Sequence, residues 1–218
     1  MLMSAQDEET GEVMSDKQLL SEAKTLLIAG HETVASSLSW TWYLLAKNPD
    51  IAEKLQLELQ EVLNGSSPNL EKLSKLGYTR RVYDETLRLY PPVWGILRHL
   101  KQDDEINGNS IPKGSLVTTP AFMIHRHPDF WENPDKFNPD NFLPEKTNQR
   151  PKFAYFPFGG GKRICIGQNF ALMEATIIIA LISQRFRLEL LPNQNIEIDP
   201  TFTLRPKNGI KVKVWKRN

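Results

Sequence analysis

This chain of 218 residues has a single cysteine. One thiol cannot close an intrachain disulfide or assemble a zinc site from several thiolates. Long apolar runs are lacking too. The longest, from Ala175 to Ile182, falls well short of the roughly 20 residues that cross a bilayer. The first 15 residues are acidic and polar, with no signal-peptide core. Neither sign of charge is in excess: 27 basic residues stand against 26 acidic ones. The basic residues are not massed in a stripe, so no nucleic-acid partner is expected. There is no internal repeat and no low-complexity segment. No Gly-x-Gly-x-x-Gly follows a strand. The triplet Gly159-Gly160-Gly161 leads into Lys162-Arg163, not into the Lys-Ser/Thr of a nucleotide-binding loop. A fused flavin or nicotinamide domain is therefore not expected. Sparse cysteine fits a reducing compartment, and a cytoplasmic location is the expectation.

What is present begins with helix signals. Ser15-Asp16-Lys17-Gln18 has the form of a capping box. Helical character then persists to Asn48, where Pro49 stops it. That is about 33 residues, or about 50 Å at 1.5 Å per residue, so the helix must cross the whole domain. Residues 1–14 read as a tail, and residues 15–218 as part of one domain. Pro49 opens a second helix with Ile51, Leu55, Leu59 and Val62 on one face, ending at Asn64-Gly65. A short helix is expected over 70–76 and another from about Tyr78 to Tyr90, closed by Pro91-Pro92. A strand is expected over 93–100, a turn at Asn107-Gly108 and a strand over 115–119. From His125 to Pro157 the chain is dense in Pro, Asn, Asp and aromatics, which predicts an ordered meander with little regular structure. Gln168 to Arg185 reads as a helix, and Lys207-Asn208-Gly209 as a hairpin turn before a last strand.

Two places break the local pattern. In the middle of the long helix lies Ala29-Gly30-His31-Glu32-Thr33, where Gly30 costs about 1 kcal/mol relative to Ala. Such inconsistencies are often functional. The other is Phe158-Gly159-Gly160-Gly161-Lys162-Arg163-Ile164-Cys165-Ile166-Gly167. Lys162, Arg163 and the start of the following helix all favour a thiolate at Cys165. The glycines allow backbone to approach something flat and bulky.

Together these segments resemble the cytochrome P-450 haem-thiolate monooxygenases. Ala29 to Thr33 is similar to the family's oxygen-activation motif, and Glu85-Thr86-Leu87-Arg88 to its Glu-x-x-Arg motif. Phe137-Asn138-Pro139-Asp140-Asn141-Phe142 stands where the family has a Pro-Glu-Arg-Phe-like meander. Phe158 to Gly167 matches the Phe-x-x-Gly-x-Arg-x-Cys-x-Gly haem loop at every defined position. The resemblance implies a mainly α fold with minor antiparallel β, running from the long distal helix through the haem-ligand loop to the final strands. Family members are roughly twice as long, so the C-terminal half of such a fold is the expectation.

The resemblance also implies roles. Haem b would be held by Cys165, the proximal ligand and only metal ligand, with Phe158, Gly161 and Gly167 shaping the loop. Arg163, Arg98 and Arg126 are candidates for the haem propionates. Gly30 would leave room for oxygen, while Glu32 and Thr33 would deliver protons. His31 is expected to face the chain interior without binding iron. Glu85 and Arg88 would brace the loop structurally, with Asn141 at the meander's usual arginine position, giving a pair plus an amide. Val93, Trp94 and Phe202 resemble substrate-facing positions and suggest an apolar organic substrate. O2 and a separate ferredoxin or flavoprotein reductase would complete the reaction. A non-oxygenase isomerase or dehydratase of the same family, and a non-catalytic remnant, are the alternatives.

Overall fold

The computed structural model describes Gln6 and residues 9–217. Four helices make the core: α1 (Asp16–Lys47), α2 (Pro49–Val62), α4 (Gly77–Leu89) and α7 (Gln168–Arg185). The short α3 (Leu70–Lys75) connects α2 to α4.

The predicted capping box opens α1. Gln18 N donates to Ser15 Oγ and Ser15 N to Gln18 Oε1, which satisfies orphan donors at both ends of the turn. Asn48 ends the helix by donating Nδ2 to the Leu44 carbonyl at 2.8 Å, and Pro49 starts α2 where no N–H is needed. Ile51, Leu55 and Leu59 recur at four-residue spacing and are buried. Val62 is only half-buried, and the adjacent Leu63 takes the inward position. Val82 and Leu87 of α4 and Leu172 and Ile179 of α7 meet them in one apolar cluster with Val34 and Leu38 of α1. Polar side chains add direction to this packing. Ser37 Oγ and the Tyr83 hydroxyl lie 2.8 Å apart between α1 and α4, and Trp40 stacks on Tyr90 with centroids 4.0 Å apart.

The strands form small antiparallel pairs. β1 (Ile96–His99) pairs with β4 (Leu116–Thr119), setting Arg98 opposite Val117. Between them β2 (Asp104–Ile106) and β3 (Asn109–Ile111) form a hairpin. Its turn residues Asn107 and Gly108 both have positive φ, as a two-residue I′ turn requires. After the short helix α5 (Ala121–Ile124) comes the meander, which contains single turns and the six-residue α6 (Pro144–Gln149). The last third pairs β5 (Phe186–Leu190) with β8 (Val212–Lys216), and β6 (Ile198–Asp199) with β7 (Arg205–Pro206).

Three expectations change in detail. The strand read over 93–100 is shorter, because Val93 to Gly95 carry the chain across from α4 before pairing begins. Lys207-Asn208-Gly209 does turn, with Gly209 at φ 68°. However, it joins β7 of one pair to β8 of another, so it does not fold a strand back on its neighbour. In the tail, Gln6 makes a single antiparallel bridge to Val13; residues 1–5, 7 and 8 lie outside the described set.

Candidate active site

The cysteine loop leaves the meander at Phe156 and enters α7 at Gln168. Gly159 and Gly161 sit at φ 76° and 70°, conformations that other residues adopt at a cost. At Gly160 the constraint is space, since a Cβ would stand 2.8 Å from the Phe153 ring. The loop closes on itself when Cys165 N donates to the Phe158 carbonyl at 2.9 Å. Half-buried Phe158 packs on the main apolar cluster and anchors that carbonyl. Cys165 is exposed and lies two residues before Gly167, the N-cap of α7. Gly167 offers no capping side chain, so free amide donors and the positive end of the helix dipole remain near the sulfur. A side chain at Gly167 would begin 3.9 Å from Sγ. Ile164 and Ile166 flank the thiol in sequence and are exposed, Ile166 to 96%, as is Phe170 in the first turn of α7. Arg163 is exposed on the same loop.

Behind the loop stands a buried polar brace. Arg88 has all five N–H donors engaged. Nε and Nη2 form a fork with the two Glu85 oxygens at 2.7 and 2.8 Å. Nη1 donates to the carbonyls of His125 and Pro134, and Nη2 also to that of Lys136. Glu85 Oε1 further accepts from Asn138 N at 2.9 Å and from Asn141 Nδ2 at 3.1 Å. The pair plus an amide is thus the geometry observed. Burial pushes the Glu85 carboxyl up, against the pull of the Arg88 guanidinium.

The brace also holds a second cation, which the sequence did not announce. Arg150 donates Nη2 to the Asn141 carbonyl at 2.6 Å, and its guanidinium lies over the Trp131 ring at 3.7 Å. Arg88 lies over the same ring at 4.8 Å. Arg150 supplies the positive charge that Asn141 does not. Its one signal in the sequence is an arginine within the aromatic-rich meander.

His125 was missed as well. It is fully buried, and Nε2 accepts from Phe156 N at 3.0 Å, tying the entrance of the cysteine loop to the brace. Nδ1 therefore carries the proton; it faces the backbone of Arg88 and Leu87 but makes no hydrogen bond of ordinary geometry among the described residues. Burial pulls this imidazole down to about 3.

On α1, Gly30 is exposed, and a Cβ there would meet nothing within 4 Å. Thr33 Oγ1 donates back to the Ala29 carbonyl at 2.6 Å. Glu32 Oε1 accepts from Thr203 Oγ1 at 3.1 Å and lies 3.8 Å from Arg205 Nη1. No sequence signal links residues 171 positions apart, so these partners were not foreseen. His31 does not face the interior. It is exposed and lines an open recess with Leu27, Ile28, Glu32, Phe202 and Arg205.

The remaining candidates divide. Arg98 is exposed on β1, with one bond from Nη1 to the Leu97 carbonyl. Arg126 is engaged elsewhere. It pairs with Asp135 at 3.2 Å, donates to the Phe122 carbonyl and lies over the Phe122 and Tyr90 rings. Val93, Trp94 and Phe202 are exposed. Trp94 Nε1 donates to the Pro200 carbonyl at 2.9 Å, which brings the two predicted substrate segments together.

A lone exposed thiol on a glycine-shaped loop, braced by a buried Glu–Arg fork and accompanied by an acid–hydroxyl step in a long helix, defines a haem-thiolate protein. Comparison with known proteins agrees. The family profile for cytochrome P450 matches residues 1–214, and the chain belongs to that family. It is 41% identical over 203 residues to cyclooctatin synthase of Streptomyces melanosporofaciens, covering 93% of this chain and 44% of that protein. It is 37% identical over 223 residues to cytochrome P450 4V2 of Homo sapiens, covering 100% of this chain and 42% of that one. Among solved structures, retinoic acid bound cyanobacterial CYP120A1 superposes with a TM-score of 0.94 at 37% identity, covering 99% of this chain and 50% of that one. The chain therefore spans less than half the length of these curated relatives.

Haem is the cofactor of this family, and the donor set fits it. Among the described residues no group of three or more His, Cys, Asp or Glu could hold a bare metal ion. A single thiolate suits a metal already held by a macrocycle. The exposed apolar residues beside Cys165 suit the macrocycle's faces, and the exposed arginines suit its carboxylates. Among the described residues no helix is long and apolar enough to cross a membrane.

Proposed function

We propose that this chain carries the haem-ligating and proton-delivering part of a monooxygenase that hydroxylates an apolar organic substrate, RH + O2 + 2e⁻ + 2H⁺ → ROH + H2O. The two electrons come from a separate ferredoxin or flavoprotein reductase. Haem bound through a cysteine thiolate supplies the activation of O2 and insertion of one oxygen atom into a C–H bond.

The chain's own residues supply the rest. Cys165 ligates, and the Cys165 N–Phe158 O bond fixes the sulfur in place. Arg163 and Arg98 are assigned to the propionates. Arg126, engaged with Asp135 and Phe122, is assigned to bracing the segment after β4. Gly30 keeps side-chain bulk away from the oxygen site. Thr33 holds its hydroxyl on the Ala29 carbonyl one turn back, beside that gap, and Glu32 passes protons inward from solvent. Val93, Trp94 and Phe202 offer apolar contact to the substrate.

The observation that carries this reading is the exposed Cys165, held by a loop that is braced from behind and bears no competing metal ligand. Retinoic acid, named in the related cyanobacterial structure, is a reasonable first substrate. The reduced holoprotein with carbon monoxide should show a strongly red-shifted Soret band that Cys165→Ala abolishes. Product formed under labelled O2 should contain the label. Turnover without O2 would return the isomerase reading, and absence of the shifted band would remove the haem-thiolate assignment.

A further inference from the structure

Residues 199–205 supply a chain of polar contacts that ends on the Glu32 carboxylate. Asp199 Oδ1 accepts from Thr201 N at 3.0 Å and from Thr201 Oγ1. Asp199 Oδ2 pairs with Arg205 Nε at 3.1 Å. Arg205 Nη1 and Thr203 Oγ1 then converge on Glu32 Oε1, the first at 3.8 Å and the second at 3.1 Å. This turn is not loosely laid on α1. Leu204 N donates to the Pro92 carbonyl at 2.9 Å, and the Leu204 carbonyl accepts from Ser36 Oγ at 2.8 Å and Trp40 Nε1 at 2.7 Å. Thr203 is buried, while its neighbour Phe202 is 73% exposed. The hydroxyl that meets Glu32 is therefore held by backbone fixed to the same helix, about one and two turns further along. Neither contact uses Glu32 Oε2.

We propose that Thr203 is a positioning residue for Glu32, with Arg205 as its second anchor, so that the C-terminal turn governs proton delivery. The proposal rests on the relay role assigned to Glu32 above. A glutamate on an exposed stretch of helix samples several rotamers. Tethering Oε1 selects one of them and leaves Oε2 to exchange protons with water.

The test needs no substrate. Holoprotein on an electrode under O2 reduces it either by O2 + 2e⁻ + 2H⁺ → H2O2 or by O2 + 4e⁻ + 4H⁺ → 2H2O. Poor proton delivery raises the peroxide share. Glu32→Gln and Thr203→Val should each raise it several-fold, and Thr203→Ser should restore the wild-type ratio. In the Glu32→Gln background, Thr203→Val should add nothing further. Independently, with ¹³C-labelled glutamate, the carboxylate stretching band lost in Glu32→Gln should shift in Thr203→Val and return in Thr203→Ser. If Glu32→Gln raises the peroxide share but Thr203→Val leaves share and band unchanged, the positioning role is overturned. If Glu32→Gln itself leaves the share unchanged, the relay reading fails first, and the band shift alone then reports the hydrogen bond. Should Thr203→Val not take up haem, Arg205→Met decides, because that side chain is 53% exposed. An unchanged ratio and band in that variant overturn the clamp.

Discussion

Arg88 has no donor to spare, and this makes its loss more than the loss of one contact. In Arg88→Ala, three backbone carbonyls and the Glu85 carboxylate would be stranded in a dry site. Removing one member of a buried pair typically costs about 3–5 kcal/mol. The expected outcome is a lower denaturant midpoint together with loss of haem uptake; a normal carbon-monoxide spectrum in this variant would remove the brace from the account. Arg88→Lys should rescue poorly, since a point charge cannot fork across Glu85 and reach three carbonyls as well. His125 gives a separate, pH-dependent signature. Its pKa falls from an ordinary 6.5 to about 3 in the folded chain. Between those values the unfolded chain binds more protons than the folded one. Stability therefore falls as pH drops through 6.5 towards 3, by up to about 1.4 kcal/mol per unit from this residue alone. Urea unfolding at pH 7, 6 and 5 should show that slope reduced in His125→Gln, whose amide oxygen can still accept from Phe156 N. Equal slopes in the two proteins would contradict it.

At the scale of elements, α4 shows why some boundaries could be read from sequence and others could not. Its start is not capped locally. Glu58, one turn from the end of α2, accepts from Tyr78 N, Thr79 N and Thr79 Oγ1 at 2.5, 2.7 and 2.7 Å. A carboxylate at a helix N-terminus satisfies orphan donors and opposes the dipole. Glu58→Ala should cost about 1–3 kcal/mol, read as a shift in thermal midpoint, with Glu58→Gln retaining part of it. A cap that comes from 20 residues away leaves no local signature, so the sequence could place this start only near Tyr78. By contrast, α1, α2 and α7 carry their own signals in Ser15-Gln18, Pro49 and the apolar spacing of 170–181, and their ends fall where expected. Strand partners were harder. The Lys207 to Gly209 turn is plain in sequence, but which strand each flank joins is decided by packing on α1 and α7. The same division runs through the candidate site. The cysteine loop and the Glu85–Arg88 pair lie within short spans and were legible. The contacts of Glu32 with Thr203, of His125 with Phe156 and of Arg150 with Asn141 exist only once the chain has folded.

Across the whole molecule, α1 has two unlike halves. From Val34 onward it buries Val34, Leu38, Trp40, Thr41, Leu44 and Leu45. From Asp16 to His31 every residue except Leu19 is exposed, including Leu26, Leu27 and Ile28. An isolated helical stretch of that length is marginal in water, because nucleation is costly and most helical stability comes from packing. Gly30 sits near the boundary and weakens the helix by about 1 kcal/mol relative to Ala. Hydrogen exchange on the chain alone should therefore be orders of magnitude faster over 16–31 than over 34–47, since local opening need not break the core. Gly30→Ala sharpens the test. Its methyl would meet nothing within 4 Å, so exchange over 16–31 should slow and thermal stability should not fall. The same methyl enters the gap proposed for oxygen, so in the holoprotein oxygen-dependent turnover should drop while the carbon-monoxide Soret position stays that of a thiolate-ligated haem. A variant that gained helix stability and kept full turnover would show that Gly30 is there for another reason. If it lost both stability and turnover, α1 at this point would be packed more tightly than its exposure indicates. The expected split, a firmer helix with a poorer enzyme, would mean that a weak point in the helix is kept for the space it leaves.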